Sequence, residues 1–315
     1  MIKLDLITGF LGAGKTTFLK KYARYLLDKG NKICIIENDF GAINVDLVLM
    51  KELEGDNCNL EMVIGGDGAE AHKRRLKTKL IAMAMMGYDR VIIEPSGVYD
   101  VDEFFDLLYE EPLDRWYEIG NVITIINPKL NNDLSDESRY LFMSEAAEAG
   151  AIVLSRSNEA TDEEKTKIIR RLNDAMSEFG CSRVIDKDMV FDVDFENIEN
   201  AKMEQIIKCG VKKNSYVKIP LENMKEFQTV FYFDYKKDIY ELLECSRRLF
   251  LDPKCGKIHR IKGFVDNQKG KMYEINITCD DILTKEVITE KAVLIIIGEE
   301  LNKEAISDYF GVPSL

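Results

Sequence analysis

Short apolar runs rich in β-branched residues alternate with amphipathic stretches of helical period along the first 200 residues. The apolar runs predict strands at 3–8, 32–37, 90–94, 121–126 and 151–154. The stretches between them predict helices at 17–28, 69–86 and 161–179, the last with a capping-box-like start. This alternation predicts an α/β fold whose mainly parallel sheet is connected by helical crossovers.

The pattern changes towards the C-terminus. Residues 197–223 are polar, include Gly210 and Pro220, and are interpreted as a link. Strands are then predicted at 229–233, 257–265, 272–278 and 293–297, with helices at 238–250 and 301–310. Neighbouring strands flanked by helices are typical of a small α+β unit. The predicted domains are a nucleotide-binding domain at 1–200, a linker at 201–223 and an α+β domain at 224–315.

A glycine-rich loop lies between the first predicted strand and helix. Residues 9–16 fit the phosphate-loop pattern G-x-x-x-x-G-K-[ST]. Backbone amides there, helped by the positive helix end, are expected to bind a β-phosphate. Lys15 is expected to contact the β- and γ-phosphates, and the Thr16 hydroxyl to bind Mg²⁺. The predicted nucleotide-binding residues of this loop are Gly12, Ala13, Gly14, Lys15, Thr16 and Thr17.

Acidic residues follow two other predicted strands. Glu94 ends an apolar run, and its carboxylate is expected to hold Mg²⁺ or a metal-bound water, while Gly97 lets a backbone amide approach the γ-phosphate. Glu37, Asp39 and Asp46 are candidates to complete the metal shell or to position the attacking water. For each of these three acids, a solvated loop residue is the alternative interpretation. The predicted catalytic residues are Lys15, Glu94 and Asp39.

Composition narrows the range of partners. Asp and Glu total 56 against 43 Lys and Arg, so the net charge of −13 argues against nucleic acid or an anionic membrane. No apolar run approaches the roughly 20 residues of a membrane helix. The seven cysteines are widely spaced and form no metal knuckle. Because the first residues are predicted to form a strand, no signal peptide is expected, and a cytoplasmic location is predicted.

Three segments, taken in order, resemble the CobW-like metallochaperone GTPases, which are relatives of the hydrogenase and urease nickel-insertion GTPases. They are the loop at 9–17, the segment 37–41 with Asp46, and the segment 94–97. Residues 260–265 and 293–298 are similar to the C-terminal domain of that family. The resemblance spans nearly the whole chain. It implies a GTPase with Mg²⁺ and GTP as cofactors.

The cysteine motif of the family is absent. Members with a metal role usually carry Gly-Cys-x-Cys-Cys, whereas residues 64–70 read Ile-Gly-Gly-Asp-Gly-Ala-Glu. Asp67, Glu70 and His72 are not a set of soft-metal ligands. Either a hard-metal site or a glycine-rich turn leading into a helix fits these residues. Ala42 also stands where the family often has glutamate.

The guanine-reading motif Asn-Lys-x-Asp is altered as well. The equivalent residues are Ser155, Arg156, Ser157 and Asn158, of which Ser155, Arg156 and Asn158 are predicted to contact the nucleotide. Aspartate accepts two hydrogen bonds from guanine, whereas Asn158 accepts through one carbonyl oxygen and its NH₂ would face a donor. Arg156 remains able to stack on a base. We therefore expect a weakened guanine preference, with ATP as an alternative to GTP.

Three functions fit the sequence. The first is a Mg²⁺-dependent nucleoside triphosphatase that acts as a chaperone for a client metalloprotein or a corrinoid or other cofactor enzyme. Its nucleotide state would order residues 37–46 and 65–70 and so control client binding. The second is a small-molecule kinase on the same phosphate loop. The third is a nucleotide-binding regulatory module with little turnover. The sequence leaves open whether the protein forms a homodimer.

Overall fold

The computed structural model describes residues 1–39, 49–64, 69–97, 101–131, 134–217, 227–268, 270–279, 281–289 and 292–314. The chain divides into two compact units, Met1–Ile219 and Pro220–Leu315. Each unit contains its own apolar cluster. No helix among the described residues is long and apolar enough to cross a membrane.

The first unit is built on a parallel sheet, as the sequence predicts. Within the described part of the chain, its seven strands lie in the order β3-β2-β4-β1-β5-β6-β7, and every neighbouring pair is parallel. The strands are β1 Ile2–Thr8, β2 Ile33–Asp39, β3 Cys58–Ile64, β4 Arg90–Pro95, β5 Tyr117–Ile126, β6 Ala151–Leu154 and β7 Val190–Asp192. The carboxyl ends of these strands therefore meet at one edge of the sheet, where open α/β sheets bind ligands.

Helices connect these strands and bury their apolar stripes against the sheet. They are α1 Lys15–Asp28, α2 Ala69–Ala84, α3 Val101–Leu108, α4 Leu113–Trp116, α5 Asp136–Ala147, α6 Asp162–Glu178 and α7 Asn200–Ile206. On α1, Phe18, Leu19 and Tyr22 are fully buried in the cluster that includes Ile92 and Ile123 of the central strands. The predicted capping box opens α6, with reciprocal hydrogen bonds between Thr161 and Glu164.

The second unit is a smaller α+β unit, which confirms that part of the predicted fold. Its described strands pair antiparallel in the order β11-β10-β9-β12-β8. They are β8 Phe227–Phe233, β9 Lys257–Asp266, β10 Met272–Ile277, β11 Ile282–Val287 and β12 Val293–Glu299. Two helices, α8 Ile239–Leu251 and α9 Lys303–Phe310, contribute Leu242, Leu249 and Ile306 to the core of this unit.

Helix α7 lies inside the segment 197–223 that the sequence analysis interprets as a link. Met203 and Ile206 of this helix are buried in the cluster of the first unit beside α1. Tyr25 of α1 also donates a 2.5 Å hydrogen bond to Glu204. Residues 200–206 are therefore a packed helix, because two apolar side chains within a polar sequence suffice to fix one helical face.

Candidate functional site

The glycine-rich loop connects the end of β1 to the start of α1. Gly14, the residue before the helix, has φ +95°, a left-handed conformation that glycine adopts without steric cost. The Ala13 amide donates to the carbonyl of Phe10 at 3.0 Å, and the Phe18 amide donates to Gly14 at 3.1 Å. The predicted residues Gly12, Ala13, Gly14, Lys15, Thr16 and Thr17 thus form one continuous turn into the helix. This geometry supplies the amides of a helix N-terminus for an anion.

The side chains of Lys15 and Thr16 make different contacts, one within this loop and one with the end of β4. Lys15 is 7% exposed, and its ammonium donates to the Gly9 carbonyl at 2.7 Å, inside the loop. The Thr16 hydroxyl donates to a Glu94 carboxylate oxygen at 2.8 Å, which joins α1 to the end of β4. The structure therefore brings together two of the residues that the sequence analysis assigns to Mg²⁺, from positions far apart in the chain.

A second carboxylate lies beside Glu94. Glu37 of β2 is its register partner on the neighbouring parallel strand, and the side chains of Glu37 and Glu94 are 3% and 4% exposed. The Thr16 hydroxyl and the carboxylates of Glu94 and Glu37 offer only oxygen atoms as ligands, which fits Mg²⁺ and does not favour soft metals. Asp39 ends β2 opposite Ile64, and its side chain is outside the described part. Asp46 lies outside the described residues.

The residues after β4 pack directly on the glycine-rich loop. A Cβ atom on Gly97 would lie 2.8 Å from the Leu11 amide nitrogen and 2.9 Å from its Cα atom. The Ser96 amide also donates to the Asn38 carbonyl at 2.8 Å, which ties this turn to β2. Glycine at position 97 is required here by the close approach of two backbones. Its proposed contact with a γ-phosphate remains a prediction.

The segment 155–158 lies on the other side of the loop, after β6. A Cβ atom on Gly14 would lie 3.4 Å from the Cβ atom of Ser155, which is itself 2% exposed. Arg156 has φ +51°, so the chain turns sharply here, and Asn158 is exposed. The structure thus places Ser155 against the phosphate loop and leaves Asn158 at the surface.

One charged residue near the loop was not identified from the sequence. Glu145 of α5 is 1% exposed, and neither carboxyl oxygen has a hydrogen-bond partner among the described residues. Burial raises the pKa of Glu145 well above its ordinary value, and the nearby positive charge of Lys15 only partly opposes that effect. The signal in the sequence was an acid within the otherwise apolar and small residues 140–147.

A phosphate loop at the carboxyl edge of a parallel sheet, with acids at the ends of two neighbouring strands, defines the class of P-loop nucleoside triphosphatases. Residues 4–180 match the family model described as CobW/HypB/UreG, nucleotide-binding domain. The chain therefore belongs to this family, as its sequence motifs indicated.

Several relatives are named as zinc chaperones. The chain is 28% identical over 171 residues to the zinc chaperone YeiR of Escherichia coli, a match covering 54% of the chain and about half of YeiR, 51%. It is 26% identical over 289 residues to the zinc chaperone YjiA of the same organism, covering 86% of the chain and 84% of YjiA. A crystal structure of Zn(II)-bound YjiA GTPase from E. coli aligns over 98% of both chains at 19% identity and a TM-score of 0.36.

The described part of this chain has no cluster of three or more His, Cys, Asp or Glu side chains arranged to hold a metal ion. Cys34 and Cys58 are both buried. Burial raises the pKa of Cys34 to about 12 and the pKa of Cys58 to about 11. Both therefore remain thiols at neutral pH, whereas zinc binds thiolates. His72 is buried in α2, and Asp67 lies outside the described residues.

Proposed function

We propose that this protein is a Mg²⁺-dependent, GTPase-like nucleoside triphosphatase that acts as a chaperone for a metalloprotein or cofactor enzyme, and that its nucleotide state controls client binding. The observation that carries the nucleotide part is the 2.8 Å hydrogen bond from Thr16 to Glu94, beside the loop that holds Lys15. It brings a metal-binding hydroxyl and a carboxylate together at the end of the phosphate loop.

The residues have distinct proposed roles. The amides of Gly12 to Thr17 and the Lys15 ammonium bind the phosphate oxygens, and Lys15 exchanges its bond with the Gly9 carbonyl for a phosphate. Thr16, Glu37, Asp39, Asp46 and Glu94 are the proposed metal ligands or ligands of metal-bound water. Bound Mg²⁺ supplies charge neutralisation at the β- and γ-phosphates. Glu94 and Asp39 orient the attacking water.

The chaperone part rests on the family and on the names of the relatives. Those relatives are called zinc chaperones, but this chain has no cysteine between positions 58 and 181. Cys34 and Cys58, which stand nearest the nucleotide site in sequence, are buried thiols. We therefore propose that this protein serves its client without a thiolate zinc site, and that a corrinoid or similar cofactor enzyme is the favoured client.

Phosphate release from GTP and from ATP, with no acceptor added, tests the nucleotide part. The wild-type protein with Mg²⁺ is expected to release phosphate, and chelation of Mg²⁺ is expected to stop it. Lys15→Ala removes the buried ammonium and is expected to reduce the rate at least about 100-fold. Lys20→Ala is the matched control, because Lys20 lies on the same helix with a partly exposed side chain 3.9 Å from Glu52.

The alternatives give different results in this assay. A kinase would transfer the phosphoryl group only when a hydroxyl acceptor is supplied, so phosphate release without an acceptor contradicts the kinase alternative. A regulatory module with little turnover would bind nucleotide and release no phosphate even with candidate clients. Phosphate release that survives Lys15→Ala would show that the phosphate loop is not the reaction site.

A further inference from the structure

A surface pocket lies at the amino edge of the sheet in the first unit, the edge opposite the phosphate loop. Ile2, the first residue of β1, is in register with the first residue of β5, so Met1 and Trp116 lie side by side just before these strands. On the other side of β1, the Lys3 amide donates to the carbonyl of Asp89 at 3.2 Å, one residue before β4. The pocket has a volume of about 470 Å³. Six of its lining residues are here called the amino-edge patch: Met1, Ile2, Met85, Asp89, Arg115 and Trp116.

Large apolar side chains of the amino-edge patch are open to solvent. Met85 is 81% exposed, Met1 is 72% exposed and Trp116 is 37% exposed. Met85 follows the end of α2, where the Lys32 ammonium donates to the carbonyl of Met86 at 3.0 Å and so holds this turn. Methionine and tryptophan are enriched in protein interfaces, and apolar side chains exposed together mark a site of interaction.

Two opposite charges flank these apolar side chains. Because β1 lies between β4 and β5, Asp89 before β4 and Arg115 before β5 lie on opposite sides of the start of β1. Asp89 is exposed, and one of its carboxylate oxygens accepts from the Lys32 backbone amide at 2.7 Å. The Arg115 guanidinium pairs with Glu111, but these side chains are 69% and 73% exposed, so this pair is exchanged for another at little cost.

The pattern of charges favours one kind of partner. A partner of uniform charge, such as a nucleic acid or a basic peptide, would pair with one of Asp89 and Arg115 and be repelled by the other. A second copy of this chain avoids that conflict. When it is rotated by half a turn about an axis through the apolar centre, its cation faces the anion of the first copy and its anion faces the cation. The patch is therefore complementary to itself in both charge and apolar character.

We propose that the amino-edge patch is a homodimer interface, in which Met85 of each copy enters the pocket of the other and two pairs of Arg115 with Asp89 form across a two-fold axis. The flexible thioether of methionine adapts to such a pocket. The charge pairs set the orientation of the two copies more than they add affinity. The proposal does not depend on the proposed function, because the patch and the phosphate loop lie at opposite edges of the sheet. Dimerisation therefore leaves both nucleotide sites open.

Sedimentation velocity over a range of protein concentrations tests the proposal. The patch is smaller than the roughly 20–30 residues a side of a stable interface, so the wild-type protein is expected to be mainly monomeric at about 1 μM and mainly dimeric at about 100 μM. Met85→Glu places a charge in the apolar centre and is expected to weaken the dimer at least about tenfold. Leu251→Glu is the matched control, because Leu251 of α8 is 83% exposed and lies in the second unit.

The fluorescence of Trp116, the single tryptophan of the sequence, gives a second readout. Quenching by iodide is expected to decrease as the concentration of the wild-type protein rises, because the partner covers the indole ring. No such decrease is expected for Met85→Glu.

Exchange of the two charges tests the symmetry of the interface. Arg115→Asp alone places two like-charge contacts in its homodimer, and Asp89→Arg alone does the same, so each is expected to weaken the dimer at least about fivefold. An equimolar mixture of the two variants restores both opposite-charge contacts. Its mixed dimer is expected to form with an affinity within about threefold of the wild-type value.

Thermal melting of each variant reports whether it is folded. A wild-type protein that stays monomeric at about 100 μM would overturn the proposal, and the pocket would then be left to a small ligand or another protein. A dimer that Met85→Glu leaves intact would also overturn it, as would a dimer that forms only with a GTP analogue and Mg²⁺. The same holds if the two charge variants associate with each other no better than with themselves.

Discussion

Replacement of Asp5 by asparagine is expected to destabilise the first unit strongly. Asp5 of β1 has no exposed surface. Its carboxylate accepts hydrogen bonds from the Arg90 guanidinium at 2.6 and 2.5 Å, from the Tyr22 hydroxyl at 2.6 Å and from the Asn121 backbone amide at 2.7 Å. These partners come from β4, α1 and β5, so one side chain connects the elements that surround the phosphate loop. Burial and the Asp5 carboxylate together raise the pKa of Tyr22 well above its ordinary value.

The magnitude follows from what Asp5→Asn leaves behind. Arg90 is 7% exposed, so the substitution leaves a buried guanidinium with no opposing charge and directs an NH₂ group at one of several donors. Removal of one partner from a buried ion pair costs about 3–5 kcal/mol. Because asparagine keeps the volume and one acceptor oxygen, the lower end, about 3 kcal/mol, is expected. For a protein of ordinary stability this is a large fraction of the free energy of unfolding.

Urea unfolding followed by tryptophan fluorescence measures this loss. Trp116 is the single tryptophan of the sequence and lies in α4 of the first unit, so its signal reports that unit. Lys208→Gln is the control, because it breaks a 2.6 Å ion pair to Glu204 in which the Lys208 side chain is 69% exposed, and no measurable shift is expected. The reasoning is refuted if the midpoint of Asp5→Asn moves no further than that of the control at an unchanged urea dependence.

Three further substitutions have specific expected results. Gly97→Ala places a methyl group 2.8 Å from the Leu11 amide, so GTP affinity is expected to fall at least about tenfold with an unchanged circular dichroism spectrum. Glu145→Gln removes a carboxyl whose pKa is raised by folding. At pH 7 the wild-type carboxyl is ionised in the unfolded state and protonated in the folded state, which costs stability, so the melting temperature of the variant is expected to exceed that of the wild-type protein at pH 7 and to equal it at about pH 4. Thr161→Ala removes the α6 cap and is expected to cost about 1 kcal/mol in urea unfolding. A lower melting temperature for Glu145→Gln at pH 7, or unchanged values for the other two, would contradict these accounts.

The sequence predicted central strands more readily than edge strands. The predicted strands 90–94 and 151–154 correspond to β4 and β6, whose residues are all buried. Their sequences contain the continuous apolar runs 91–93 and 151–154 that buried parallel strands show. The strands that sequence patterns did not predict, β3, β7 and β11, each lie at an edge of a sheet. Edge strands contact a neighbour on one side only, and β11 is almost entirely exposed, so their side chains carry little apolar periodicity.

The candidate site was also only partly predictable from the sequence. The phosphate loop was predictable because its chemistry resides in consecutive residues, 9–16, between a strand and a helix. The sequence assigned Thr16 to Mg²⁺ through the loop motif and Glu94 through its place at the end of a predicted strand, whereas the hydrogen bond between them required the structure. The packing of Phe195 on Phe18 of α1 was not predictable, because Phe195 follows β7, a strand of three residues. Glu145 is likewise placed near Lys15 only by packing.

The central claim is that Lys15, Thr16 and Glu94 form one site for a Mg²⁺-bound nucleoside triphosphate. Calorimetric titration of a non-hydrolysable GTP analogue into wild-type protein and Thr16→Ala, each with Mg²⁺ and with a chelator, tests it most directly. Mg²⁺ is expected to strengthen binding to the wild-type protein at least about tenfold and to leave Thr16→Ala nearly unaffected, because the substitution removes the hydroxyl that meets Glu94. Equal enhancement by Mg²⁺ in both proteins, or no binding to the wild-type protein, would contradict the claim.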